Sequence, residues 1–423
     1  MAPFQELITK SILCTGQQNS RQRPSLCHHY QYYNKTMDST LPRPFKECVS
    51  LLELEALARQ VLPQAYFDYY AGGATDELTL RRNSSDFAQI KLRPRMLKDI
   101  SQIDTSTSAL GSTLSSPICI APTAFHGLAH SEGELATARA AARMDTLMTL
   151  STLSNYALEE VIAAGPHHMW FQLYVYKDRE ITRDLVKRAR ESGYKALVVT
   201  VDSPSLGKRE RDLKNGFHLP DHLQAKNLEK FLLHEIKEER TGDYNIDNIG
   251  RNSLASYIAS LYDRSLTWKD LAWIDSLSDL PVLVKGIVRG DDAALAIKHG
   301  ARGIIVSNHG GRQVDTTLSG IEALIDVAAE LEAKKLGADK AEIYMDGGIR
   351  RGTDVIKALA LGARAVFIGR PVLYGLALDG EAGVQRVLQI LLDELKLAMS
   401  LCGTASLSDI STDHLRLPSS FLT

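Results

Sequence analysis

The chain has 423 residues, 44% hydrophobic and 24% charged, with a formal net charge of −2. That balance suits one large α/β domain with extensions and supplies no basic surplus for binding nucleic acid. No apolar run approaches the ~20 residues that span a bilayer, and the five cysteines form no C-x-x-C pair.

A reduced, intracellular protein is therefore expected, cytoplasmic by default, with peroxisome and mitochondrion left open. Residues 1–42 are rich in Gln, Ser, Asn and Tyr and lack periodicity, which predicts a disordered tail or a targeting segment. The folded body is expected over 43–412, and 413–423 reads as a C-terminal tail. That tail, ending Ser419-Ser420-Phe421-Leu422-Thr423, carries no S-K-L signal.

Glu53–Gln60 and Pro63–Gly73 read as two helices of an N-terminal extension, the second stopped by Gly72-Gly73. An aromatic stripe, Tyr66, Phe67, Tyr69 and Tyr70, runs along the second. Such stripes usually belong to a core, but adjacent tyrosines near a helix end can also lean over a pocket.

From Pro117 onward apolar runs alternate with Ala-rich helical segments. The candidate strands are Ile118–Ala121, Thr146–Leu150, Met169–Tyr174, Ala196–Val201, Val282–Lys285, Gly303–Val306, Glu342–Met345 and Ala365–Ile368. Segments such as Glu132–Met144, Asp178–Ser192, Asp291–His299 and Thr353–Leu361 lie between them. Strand followed by helix, repeated in this way, predicts a (β/α)8 barrel. A doubly wound sheet is disfavoured because no G-x-G-x-x-G follows the first strand.

One interval breaks the rhythm. Between Val201 and Val282 lie about eighty residues where a crossover needs about thirty. Its middle, Lys208–Arg251, is dense in charge, and the region 203–265 reads as a mobile lid in the fourth βα loop.

Every strand ends in something polar or small, on the rim where barrels keep their chemistry. In chain order these are Pro122-Thr123-Ala124, Ser151, Gln172 with Tyr174, and Thr200 with Asp202, with Arg209 just beyond. Then come Lys285-Gly286, Ser307-Asn308-His309-Gly310-Gly311-Arg312, Asp346-Gly347-Gly348-Ile349-Arg350 and Gly369-Arg370-Pro371. His309 and Arg312 set an acid/base group three residues from a carboxylate clamp. The glycines and arginines of the last two loops suit a phosphate. Lys285 admits two readings: an ion pair with Asp346, or a fixed cation beneath a flavin.

The segments S-N-H-G-G-R-Q-V-D, F-Q-L-Y-V-Y, L-V-K-G, D-G-G-I-R-R-G-T-D and I-G-R-P closely resemble the FMN-dependent 2-hydroxy-acid oxidase and dehydrogenase family. That family includes glycolate, lactate and long-chain hydroxy-acid oxidases, and the likeness runs from about Leu51 to about Ser411. The resemblance implies FMN as cofactor and oxidation of an (S)-2-hydroxy acid to the 2-oxo acid. Oxygen is the implied electron acceptor, hydrogen peroxide the implied by-product, and a homotetramer the implied assembly. A quinone or carrier-protein acceptor, or a flavin-binding barrel without activity, are the alternatives. By the likeness His309 is the base, Arg312 and Arg209 hold the substrate carboxylate with Tyr69, Tyr174 reaches the substrate, and Asp202 orients His309. Thr123, Ala124, Ser151, Gln172, Thr200, Lys285, Ser307, Arg312, Asp346, Gly347, Arg350, Gly369 and Arg370 match positions around FMN. Leu153 stands where glycolate oxidase carries tryptophan, which implies a wider mouth and a larger substrate. With no haem domain ahead of residue 50, the cytochrome-coupled form is not expected.

Overall fold

The computed structural model describes residues 45–165, 168–232, 258–337 and 340–421. Each candidate strand forms, because a run of β-branched and aliphatic side chains buried on both faces has no stable alternative in this layout. The barrel strands are β1 (Ile118–Ile120), β2 (Met148–Leu150), β3 (Met169–Leu173), β4 (Leu197–Thr200), β5 (Val282–Ile287), β6 (Gly303–Val306), β7 (Glu342–Asp346) and β8 (Ala365–Ile368). They close in the order β7-β8-β1-β2-β3-β4-β5-β6, all neighbours parallel. This is the expected (β/α)8 barrel.

The barrel interior is solid. Trp170, Tyr344 and Phe367 meet there, with ring centroids 5.4–5.8 Å apart, alongside Cys119, Val198, Leu283 and Ile305. A hairpin not foreseen from sequence, Thr107–Ala109 with Ser112–Leu114, seals the bottom by adding Ala109 and Leu114 to that cluster. With one end plugged, chemistry is confined to the C-terminal ends of the strands.

Among the described residues three α-helices precede the barrel: α1 (Leu51–Val61), α2 (Gln64–Ala71) and α3 (Leu78–Gln89). Ser50 caps α1 by accepting from Glu53 N at 3.3 Å, and Glu53 answers by accepting from Val49 N. The third helix was not expected, since L-T-L-R-R-N-S-S-D-F-A-Q carries few apolar residues. Its N-terminus is held from the β6 loop: Asp315 accepts from Thr79 N at 2.7 Å and from Leu78 N at 3.2 Å. Asn83 and Asn308 exchange amide hydrogen bonds at 3.0 and 2.7 Å. Tertiary caps of this kind make a polar segment helical.

The β4–β5 connection begins with a short helix, Glu210–Lys214, and returns through Tyr262, bridged to Tyr176. The centre of the expected mobile lid, 233–257, lies outside the described residues. At the other end of the chain, Leu415–Arg416 pairs antiparallel with Lys91–Leu92, and His414 is buried. Among the described residues no helix is long and apolar enough to cross a membrane.

Candidate active site

Strand β6 is followed by Ser307, and the chain turns at His309 with φ of 57°, a left-handed conformation that histidine tolerates better than most residues. His309 Nδ1 lies 2.8 Å from Asp202 Oδ1, just beyond β4, while Ser203 donates to the same oxygen at 2.9 Å. A carboxylate only accepts, so Nδ1 carries the proton and Nε2 keeps its lone pair. Burial pulls the imidazole pKa below its ordinary value despite the upward pull of Asp202, so the ring is neutral and ready to accept a proton. Burial works in the opposite direction on Asp202, but His309, Lys285 and Ser203 hold its carboxyl down to about 2. Its other oxygen, Oδ2, has no hydrogen-bond partner. That oxygen fits only because position 286 is glycine: a Cβ there, at φ +106°, would sit 2.6–2.8 Å from the Asp202 side chain.

Arg312 reaches back over the end of α2. Its Nη1 donates to the carbonyls of Tyr69 at 2.7 Å, Gly72 at 2.9 Å and Tyr70 at 3.3 Å, and its guanidinium lies 5.2 Å from the centre of the Tyr69 ring. Arg370, the first residue of the helix after β8, donates to the carbonyls of Tyr70 and Gly72, each at 2.9 Å. Carbonyl dipoles replace water without cancelling charge. Burial, together with Arg209 and Arg370, lowers the Arg312 pKa to about 9. Arg209 lines the same cleft, and its buried Nε has no partner. Clustered guanidinium groups with unspent donors make a site for an anion.

Between base and arginines runs a polar ribbon along the ends of β2 to β5. Gln172 Nε2 donates to Thr200 Oγ1 at 3.1 Å, and Gln172 Oε1 accepts from Thr152 N at 3.1 Å. Lys285 sits opposite Thr200 in register and is fully buried. Its Nζ lies 3.2 Å from Asp346 Oδ2 and donates to Ser307 Oγ at 3.0 Å. Burial alone would lower its pKa, but Asp346, Asp202 and Tyr174 raise it, so it stays an ammonium. The ion pair with Asp346 forms, and Lys285 also lines the cleft.

The cleft has a volume of about 1130 Å³, part of it open to solvent. Tyr69, Thr123, Ala124, Ser151, Leu153, Gln172, Tyr174, Thr200, Arg209, Lys285, His309, Arg312, Asp346, Gly347, Arg350, Gly369 and Arg370 all line it. Asp202 and Ser307 stand one layer behind, holding His309 and Lys285. Reading the sequence missed several neighbours. Tyr262 stacks on Tyr174 at 4.4 Å, Phe217 stacks on Tyr69 at 4.4 Å, and Leu206 completes an apolar side. These come from the long β4–β5 connection, where no periodicity marks them.

A family model for FMN-dependent dehydrogenases matches residues 58–417. The chain belongs to this family. It is 51% identical over 362 residues to glycolate oxidase 3 of Oryza sativa subsp. indica, covering 86% of this chain and 94% of that one. An L-lactate oxidase of a Nostoc species is 52% identical over 374 residues, covering 87% and 98%. Among solved structures, a mandelate oxidase with (S)-4-hydroxymandelic acid superposes with a TM-score of 0.77 at 40% identity, covering 87% and 98%.

The cofactor of this FMN-dependent dehydrogenase is FMN, and the cleft residues fit it. Gln172, Ser151 and Thr200 line the cleft with amide and hydroxyl groups, the kind of polar edge that would suit a flavin pyrimidine ring. The buried ammonium of Lys285 suits the negative charge of a reduced flavin. Asp346 Oδ1 and Arg209 Nε, buried without partners, show a site whose polar groups are not all satisfied from within the protein. Arg350 and Arg370 line the cleft at the ends of β7 and β8, where their charge would suit the FMN phosphate.

Proposed function

We propose that this enzyme oxidises (S)-2-hydroxy acids to 2-oxo acids, with molecular oxygen as the final electron acceptor and hydrogen peroxide as the by-product. The observation that carries this reading is the convergence of a neutral, Asp202-anchored His309 with Arg312 and Arg209 in one cleft. Bound FMN supplies the two-electron acceptor, chemistry that no side chain possesses.

The residues do the rest. Arg312 and Arg209 take the substrate carboxylate, whose charge relieves their mutual repulsion. That grip fixes the orientation of the α-carbon, which supplies several kcal/mol of the barrier. His309 Nε2 accepts the α-hydroxyl proton, and Asp202 balances the imidazolium that results. Burial pushes the Tyr174 phenol up to about 12, so it stays protonated and donates to the substrate oxygen. The names of the related glycolate, lactate and mandelate oxidases support the same reaction class. Family likeness also supports a homotetramer, which sedimentation of the purified protein checks.

The apolar side of the cleft supports a substrate larger than glycolate. Leu153, Leu206 and the Tyr174–Tyr262 stack leave room beside the α-carbon for a medium chain or an aromatic ring. Each methylene buried there contributes up to ~0.8 kcal/mol, so three or four extra carbons favour the longer acid by up to about two orders of magnitude, less the cost of ordering the chain. The test is kcat/KM for glycolate, lactate, 2-hydroxyoctanoate and mandelate, with oxygen uptake and peroxide recorded, on wild type and Leu153→Trp. Longer acids should lead in the wild type, and the substitution should hurt them while sparing glycolate. A wild type that favours glycolate overturns the size argument, and turnover without oxygen uptake overturns the acceptor.

A further inference from the structure

Gln313 follows Arg312 directly, and nothing in the reaction calls on its side chain. Yet both ends of its amide are used. Its Nε2 donates to the carbonyl oxygens of Asp202 and Ser205, each at 2.8 Å, while its Oε1 accepts from the Gly207 N–H at 3.0 Å. Two backbone acceptors and one backbone donor match the hydrogen-bonding capacity of an amide and fix which way it is turned. All three partners belong to the segment that runs from Asp202 to Arg209. The segment approaches so closely that a Cβ at Gly207 would lie 2.3 Å from Arg312 O and 2.6 Å from Gln313 O.

From this geometry we infer that Gln313 is a positioning residue that sets Arg209 in register with Arg312, so that both guanidinium groups grip one carboxylate. Gln313 and Arg312 are adjacent in the chain, so the amide ties the two halves of the clamp through a few rigid bonds. The far side of the arginine is tied to the N-terminal helices, where Thr75 N donates to Lys208 O at 2.8 Å and Arg211 pairs with Glu77 and Asp68, but the buried Arg209 Nε itself has no partner. Without the amide, the Ser205–Gly207 turn loses its direct tie to the residue beside Arg312, and the spacing of the two guanidinium groups is no longer set from β6. Asp202 is anchored independently through His309 and Ser203, so the base should be little affected.

This inference rests on the reading that the substrate is a 2-hydroxy carboxylate. The test uses the FMN-loaded enzyme, its best 2-hydroxy acid, and oxalate as a non-reacting dicarboxylate whose binding perturbs the flavin spectrum. Gln313→Ala should raise KM and the oxalate Kd roughly tenfold or more through the lost hydrogen bonds. kcat at saturation, the acid limb of its pH profile and the FMN content should stay near wild type. Gln313→Glu should be at least as harmful, because a carboxylate would face two carbonyl oxygens. In an Arg209→Met background, removing Gln313 should cost little further, because the amide acts through that arginine. Unchanged KM and oxalate Kd in Gln313→Ala, or full additivity with Arg209→Met, would overturn the inference. Should Gln313→Ala fail to fold, Gly207→Ala, which pushes the same segment away, must show the same KM-against-kcat split or the inference falls. A wild type that turns over no 2-hydroxy acid overturns the functional reading instead, and does so before any variant is compared.

Discussion

Replacing His309 with glutamine should lower kcat by about 10²–10⁴-fold while FMN stays bound, the usual cost of losing a general base. Glutamine is near in size and can still reach Asp202, but it cannot accept a proton. The contacts expected to hold FMN come from elsewhere: Lys285 on β5, Gln172 on β3, and Arg350 and Arg370 after β7 and β8. The purified variant should therefore be yellow, with the wild-type flavin content, and should reduce its flavin slowly when mixed anaerobically with substrate. The left-handed backbone at position 309 gives a control. Asparagine tolerates that conformation better than glutamine, so His309→Asn should be just as inactive and at least as stable. A His309→Gln enzyme with most of its wild-type reduction rate would place the proton acceptor on another residue.

The barrel was legible because each strand is a short apolar run buried on both faces, a pattern local in sequence. Helix α3 was not. Its caps come from Asp315 and its tether from Asn308, both distant in sequence, and its own composition argues for a loop. The hairpin under the barrel was equally silent, since Ala109 and Leu114 reveal their role only once the cylinder above them exists. The site divides in the same way. His309 and Arg312 share one short motif at a strand end, so periodicity and residue type together point to them. Tyr262 and Phe217 gain their meaning from stacking on Tyr174 and Tyr69 across the β4–β5 connection. Gln313 lies inside the motif but reads as an ordinary polar residue until its three backbone partners are seen.

Asp202→Asn should be nearly as damaging as loss of the base itself, for an electrostatic reason. The native carboxyl is held at about 2, below its ordinary 3.8, by His309, Lys285 and Ser203 acting against burial. A depressed carboxylate contributes stability that is complete above its unfolded pKa and is lost only as pH falls from about 4 to about 2. At every pH of interest Asp202 is therefore charged. The amide keeps the shape and fits beside Gly286 as the carboxylate does, but it removes the charge. Two consequences follow. The imidazolium formed when His309 takes the hydroxyl proton loses its counter-ion, in a buried site that already contains the Lys285 ammonium. The amide can also donate to Nδ1 and so stabilise the tautomer in which Nε2 holds the proton and cannot accept another. Together these should lower kcat by about 10²–10⁴-fold, with the carboxylate clamp and the Kd for oxalate little changed. Asp202 is also the main group raising the His309 pKa against burial, so the acid limb of the residual activity should move to lower pH. Stopped-flow flavin reduction across pH 4 to 9 measures both effects. A variant that keeps the wild-type rate and an unmoved acid limb would mean that His309 works without its carboxylate, with the charge balance coming from elsewhere in the cleft.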